Sequence, residues 1–473
     1  MPIYCRLLLI YTILTGFASL QAQQPWHNGR LEVSDNGRFI QHANRKPFFW
    51  QGDIAWLLLQ RMSREEMKMY FENRKAKGFN VVQCAFLQFY SDKNYYGDSA
   101  YLEKDITKPL RTPGNDPVAP LQYDYWDHAA YAVELAAANG IYLAVVPVWG
   151  QLVKRDSTLT TQKAEQFATD MASFFRASPN IIWLNGGAIQ GDLKPELWQT
   201  IGTAIRKHAP EHLISFHPFG RTQSSTWFHT APWLDFNMYV SGHRNYEQDN
   251  TAKKYGEDNW RYVLEDLSKH PVKPTIDGES SFESTPQGLH DHSQPYWNAA
   301  DVRRYAYWSV FAGAMGHTYG QNSVRQVYKK GENKPESGAK ISFNEALDDT
   351  GSFHMQHVQK LVLSRPYFER QNDQQLVTDN GERYERVLVC RGKSYLFAYT
   401  FTGRTFTIKT GVLTGKKLKA WWYDPRSGKA IPAGEFKNKG VLRFDPPGEP
   451  MNGNDWVLVL DDTREKYSIP GQL

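Results

Sequence analysis

Cysteine is scarce in this 473-residue chain: there are three, Cys5, Cys84 and Cys390. Cys5 falls in an N-terminal leader, and the other two lie in segments assigned below to different domains. That excludes a disulfide framework and points to two free, buried thiols. Neither has metal-ligand neighbours at the usual spacing, so no metal site is expected. An excess of one charge is also lacking. The formal balance is +5, one less without Arg6 of the leader, which is too little on so long a chain to indicate a nucleic-acid partner. Beyond the leader, no apolar run approaches the ~18 residues of a membrane span. There is no GxGxxG after an early strand, no phosphate loop and no GxSxG elbow. No cofactor is called for.

What the chain has in quantity is aromatic rings: 14% of residues, with 15 Trp and 26 Tyr. Flat ring faces suit sugars, although a large aromatic core would explain the composition as well. The start, MPIYCRLLLIYTILTGFASLQA, has one early positive charge, an apolar run from Leu7 to Leu14 and small residues up to Ala22. It reads as a secretory signal peptide over residues 1–22. Cys5 precedes the apolar run instead of ending it, so no lipoprotein anchor is expected. The mature protein is expected to be exported, in the periplasm or outside the cell.

After a short hairpin around Asp35–Asn36–Gly37, eight apolar strand-like runs alternate with helical patterns. The runs are Phe48–Trp56, Asn80–Leu87, Ile141–Gly150, Ile181–Gly187, Leu213–Gly220, Phe236–Gly242, Pro274–Ser280 and Gly316–Ser323. SREEMKMYFENRKAKG opens on Ser63 as an N-cap and closes on Gly78; YWDHAAYAVELAAANG closes in the same way on Gly140. Near-continuous apolar strands mean a parallel sheet covered on both faces, and eight βα units over residues 23–368 predict a (β/α)8 TIM barrel. From residue 369 to 473 the pattern changes to short alternating runs broken by Gly, Pro and Asn turns, which predicts a small antiparallel β-sandwich.

In such barrels the reactive groups stand at the carboxyl ends of the strands. The first strand ends with Asp53 and Trp56, the second leads to Gln83 and Gln88, and the third ends with Trp149. The fourth ends in GGAIQGD, with Ala188 and Asp192. The fifth carries His217, the sixth Tyr239 and His243, the seventh Asp277 and Glu279, and the eighth His317, Tyr319 and Gln321. Carboxylates, imidazoles, amides and rings at one mouth are what a polyhydroxylated ligand needs. In PTIDGESSFE, period-two alternation puts Asp277 and Glu279 on one face, and Glu279 is the candidate nucleophile or base for glycoside hydrolysis. Asp277 reads as support for a neighbour or as a sugar contact. Asp53, Trp56, Gln88, Trp149, His217, Tyr239, His317 and Tyr319 are the further candidates for binding substrate. His290, Asp291 and His292 read as solvated surface, and His354 and His357 as packing on a helix near the domain junction.

FFWQGDIAWLLLQRMSREEMKMYFENRKAKGFNVVQCAF, NIIWLNGG and TIDGESSFE resemble the opening, fourth-strand end and seventh-strand end of the apiosidase-like glycoside hydrolases (glycoside hydrolase family 140 and its relatives). The tail, with WWYDPRSGKA, is similar to the sandwich named in those proteins for collagen binding. The resemblance implies a secreted bacterial enzyme that cleaves glycosidic bonds in plant pectic polysaccharide, with a carbohydrate as its partner. It also implies an aspartate after the two glycines of the fourth strand, as the acid partner of Glu279. Here that position is Ala188, which cannot protonate a leaving oxygen. Three readings stay open: Asp192 substitutes, the site has lost its acid and is impaired, or another loop carboxylate serves. The rival to a hydrolase is a non-catalytic glycan-binding protein on the same scaffold. A third reading is a matrix adhesin acting through the sandwich.

Overall fold

The computed structural model describes residues 24–119 and 121–473; the leader expected over 1–22 lies outside them. A three-stranded antiparallel sheet (Leu31–Val33, Ile40–His42, Pro47–Phe48) enters the fold. Eight parallel strands follow: β1 Trp50–Ile54, β2 Val81–Ala85, β3 Tyr142–Val146, β4 Ile181–Ile189, β5 Ile214–Pro218, β6 Asn237–Tyr239, β7 Thr275–Asp277 and β8 Gly316–Thr318. A six-stranded ladder runs β8-β1-β2-β3-β4-β5, and β6 pairs with β7. Backbone hydrogen bonds from Asp235 to Ile214 (2.9 Å) and from Met315 to Thr275 (3.0 Å) bridge the two remaining gaps. The ring is therefore closed, as the alternation of runs predicts.

The strands are apolar on both faces because each face has its own core. Tyr142, Ala144 and Val146 of β3 belong to the cluster inside the barrel, whereas Leu143 and Val145 pack with the surrounding helices. On β1 the inward residues are Trp50 and Ile54, a phase that decides the fate of Asp53 below. The principal helices are α1 Arg64–Ala76, α2 Tyr125–Ala138, α3 Thr161–Phe174, α4 Pro195–His208, α5 Trp260–Leu267, α6 Ala299–Ala312 and α7 Thr350–Leu363. Ser63 caps α1 in a capping box with Glu66, and Gly78 and Gly140 follow α1 and α2 with positive φ, the conformation that lets a helix end without a Cβ penalty. Among the described residues no helix is long and apolar enough to cross a membrane. Cys84 and Cys390 are free and buried.

The carboxyl-terminal part is a β-sandwich built from β9 Gln371–Asn372, β10 Val387–Arg391, β11 Tyr395–Thr400, β12 Phe406–Lys409, β13 Lys417–Tyr423, β14 Ala430–Lys437, β15 Val441–Phe444 and β16 Trp456–Asp462. Six of these form one antiparallel sheet in the order β9-β10-β11-β16-β13-β14, and β12 pairs with β15. The sandwich is fastened to α6 of the barrel by stacked Tyr307 and Tyr399 (4.8 Å) and by a buried ion pair between Arg303 and Asp455 (2.6 Å). Removing either partner alone would leave an unmatched buried charge, a cost of about 3–5 kcal/mol.

Candidate active site

The strand-4 turn is built to present one residue. Gly186 and Gly187 have φ of +95° and +92°, and Ala188 follows at +49°; the β4–β5 register shifts between Gly186 and Ile189. A Cβ on Gly186 would stand 2.7 Å from the carbonyl oxygen of His217, and one on Gly187 would stand 2.9 Å from Val146 and 3.1 Å from the Gly150 nitrogen. Both positions therefore exclude side chains, and the bulge turns residue 188 toward the mouth. The Ala188 N–H donates to Nδ1 of His217 at 3.2 Å. That bond leaves Nδ1 unprotonated, so the proton of a neutral His217 sits on Nε2, which faces Oε2 of Glu279 at 3.5 Å.

Glu279 is the centre of the site. Its side chain is 15% exposed and its Oε1 lies 2.8 Å from Nε2 of His243. Burial pushes its carboxyl up, but the adjacent His217 imidazole and the hydrogen bond with His243 together outweigh that and hold it well below the usual carboxylate range. The group is thus an anion at any working pH. Burial depresses the pKa of His243, and the contact with Glu279 opposes that. From below, Gln83 donates to the Gly278 carbonyl at 2.6 Å and fixes the backbone that carries Glu279. Trp56 (6% exposed) and the half-buried Trp149 pack edge-on or tilted against His217, at 5.1 and 6.2 Å between ring centroids. These rings wedge His217 in place.

Glu279, Ala188, His217 and His243 line one cavity of about 510 Å3, together with Arg221, Arg244, Asn250, Leu289 and His290. Its size suits a sugar or two. Among the described residues lining it, Glu279 is the only carboxylate. Asp192 is exposed and does not reach this cavity; nor does it cap α4, whose N-cap position is Lys194.

Several residues expected at the mouth lie elsewhere. Asp53 faces outward, because Trp50 and Ile54 take the inner face of β1. It is fully buried against α1, ion-paired with Nε of Arg74 at 2.8 Å and bonded by the Tyr70 hydroxyl at 2.7 Å. Asp277 does not share the setting of Glu279: β7 ends at Asp277, and the period-two alternation stops with it. Its carboxylate accepts from the Ser241 hydroxyl (2.5 Å) and from Asn259 (3.0 Å), and burial lifts its pKa to about 6. Tyr239 is buried and stacked on Tyr262 at 5.2 Å. His317 is buried within 3.4 Å of Ser309, and burial lowers its pKa to about 3, so it is neutral. The Tyr319 hydroxyl is spent on Glu283 at 2.6 Å. Gln88 is half-buried behind the Asp92 turn, outside the cavity lining.

Other groups come to the cavity without a sequence signal. Arg221 and Arg244 stand on loops whose pattern says nothing of direction. His290, expected as solvated surface, is exposed but forms part of the cavity wall. The expected helix at His354 and His357 is α7, at the seam with the sandwich.

Comparison with known proteins gives the following. The family model described as "Apiosidase-like, catalytic domain" matches residues 34–369. A second, "Putative collagen-binding domain of a collagenase", matches residues 372–461. A solved structure titled simply as a glycoside hydrolase is 41% identical, with 94% of this chain and 99% of that one covered and a TM-score of 0.89. A glycoside hydrolase family 5 structure from Bacteroides vulgatus ATCC 8482 is 40% identical over 94% of this chain and 96% of that one, also at 0.89. Another structure from that organism, at 14% identity and a TM-score of 0.63, covers 92% and 83% of the two chains and shares the fold alone. A search of curated proteins gave no match.

Proposed function

The chain belongs to the apiosidase-like family of glycoside hydrolases, and on that premise we propose that it acts on plant cell-wall pectic glycans, with Glu279 as the catalytic carboxylate and Ala188 in the place of the proton donor. The observation that carries this reading is the ionised Glu279 at an open cleft, held by two imidazoles. Glycoside hydrolysis pairs such an anion, as nucleophile or as base for water, with a protonated group on the far side of the bond. Glu279 cannot be that second group, since its neighbours stabilise the charged form. The GG bulge aims residue 188 at the same cavity, and the only carboxylate among the described lining residues is Glu279. Loss of an acid typically costs ~10²–10⁴ in rate.

The same alanine favours a second reading, in which the chain retains glycan but turns it over poorly or not at all. The leader over residues 1–22 supports export. The sandwich we read as a support for the barrel, on account of its buried ion pair with α6.

Turnover and binding of apiose-bearing pectic oligosaccharides, measured for the parent and for Glu279→Gln, separate these readings. A slow hydrolase releases sugar in the parent and none in the variant, with affinity kept in both. Binding without release in the parent favours the binder, and absence of both overturns the pectic assignment.

A further inference from the structure

A second cavity, of about 450 Å3, opens where the barrel meets the sandwich; Tyr246, Trp260, Arg261, Arg383 and Arg386 are in its wall. One loop divides it from the catalytic cleft. Arg244, Asn250 and Thr251 of that loop line the cleft, whereas Tyr246, Glu247, Asp249 and Lys254 line the second cavity. The two cavities thus lie on either side of this one loop.

Most ionic groups there are already matched. Arg383 meets Glu247 at 3.0 Å, Arg261 meets Asp258 at 2.9 Å, and Asp249 is bound by Arg221 at 3.3 Å and by the Gly256 N–H at 2.7 Å. Arg386 is different. Its guanidinium carbon lies 3.8 Å from the centroid of the Trp260 ring, and its Nε is buried without an acceptor among the described residues. Trp260, 7% exposed, likewise has its Nε1 buried without an acceptor. Burial lowers the Arg386 pKa, with Asp258 opposing only in part. Stacking occupies the face of the guanidinium and leaves its N–H edge free. That edge is a planar fork matched to a carboxylate, which a neutral hydroxyl satisfies less well.

We infer that this junction cavity is a subsite for a uronic acid residue of the glycan, whose carboxylate is bound by Arg386. The inference rests on the pectic reading above and adds how an acidic backbone is held away from the reacting bond.

The test is calorimetric titration of the full chain with an oligogalacturonate and with the same oligomer methyl-esterified. The acidic oligomer should bind. Esterification or Arg386→Gln should each weaken binding by about tenfold to a hundredfold, the range of a charge-assisted hydrogen bond, and the two changes together should add little to either alone. Arg386→Lys, which keeps the charge and loses the fork, should fall between. Melting temperature and binding of a small neutral apioside should not move in these variants, which separates lost recognition from lost folding. Equal binding of acid and ester, unchanged affinity in Arg386→Gln, or no binding of the acidic oligomer would each overturn the subsite. Failure of the pectic hydrolase reading has a different signature: no release from apiose-bearing fragments while acid-selective binding through Arg386 persists.

Discussion

Replacing Ala188 by aspartate tests the site from both sides, stability and rate. Ala188 sits at φ +49°, a region that costs a non-glycine residue about 1 kcal/mol or more and that aspartate tolerates better than most. Its backbone N–H is engaged with His217, so the new side chain leaves an already fixed backbone and hangs over the cavity that holds Glu279. Folding stability should therefore stay within about 1 kcal/mol of the parent. The introduced carboxyl faces an anion across the cleft, and a like charge raises a carboxyl pKa, which suits a proton donor. Restored acid assistance should raise the rate by ~10²–10⁴, or about 3–5 kcal/mol off the barrier. The assay is initial rates on apiose-bearing oligosaccharides, whose leaving alcohol needs a proton, beside aryl apiosides, whose leaving phenolate needs little help. The gain should be large on the former and small on the latter. A folded Ala188→Asp variant with unchanged rates on both would refute the reasoning. If Asp192→Ala in the parent removed its residual activity, that aspartate would already be the donor.

Two further outcomes follow from the geometry. His243→Phe removes one donor to Glu279, and a hydrogen bond to a charged group is worth about 1.5–3 kcal/mol. The carboxyl pKa, now depressed, should rise by roughly 1–2 units, read by direct NMR titration of the Glu279 carboxyl at low pH; an unmoved carboxyl pKa would show that His243 does not hold the charge. Asp53→Ala strands the Arg74 guanidinium in the core and should cost about 3–5 kcal/mol in denaturant unfolding, with glycan affinity kept in whatever fraction folds; a loss of affinity without loss of stability would return Asp53 to the cleft.

The strands and helix ends were legible because their signals are local. Eight apolar runs, Ser63 before a Glu at the third helical position, and glycines just past α1 and α2 each state their own conformation. Asp53 was misread for a reason built into barrels: a strand buried on both faces carries no polar phase to say which side is inward, so the outward turn of Asp53 toward Arg74 is invisible. At Asp277 the alternation rule was carried past the end of the strand, into a loop where it no longer holds. Tyr239, His317 and Tyr319 stand at strand ends as expected, but burial and pairing with Tyr262, Ser309 and Glu283 remove them from the ligand. The loops that bring Arg221, Arg244 and Arg386 to their cavities join residues far apart in sequence, and no spacing announces that. Ala188 was found the other way, from the resemblance, which implies an aspartate after the two glycines; the positive φ of Gly186 and Gly187 is a feature that only the structure reveals.

The most direct measurement is kcat for Glu279→Gln in the Ala188→Asp background, where the rate is high enough to lose. If Glu279 is the reacting carboxylate, turnover falls by at least ~10³-fold while binding of the oligosaccharide holds. A double variant that keeps the rate of Ala188→Asp would contradict the assignment.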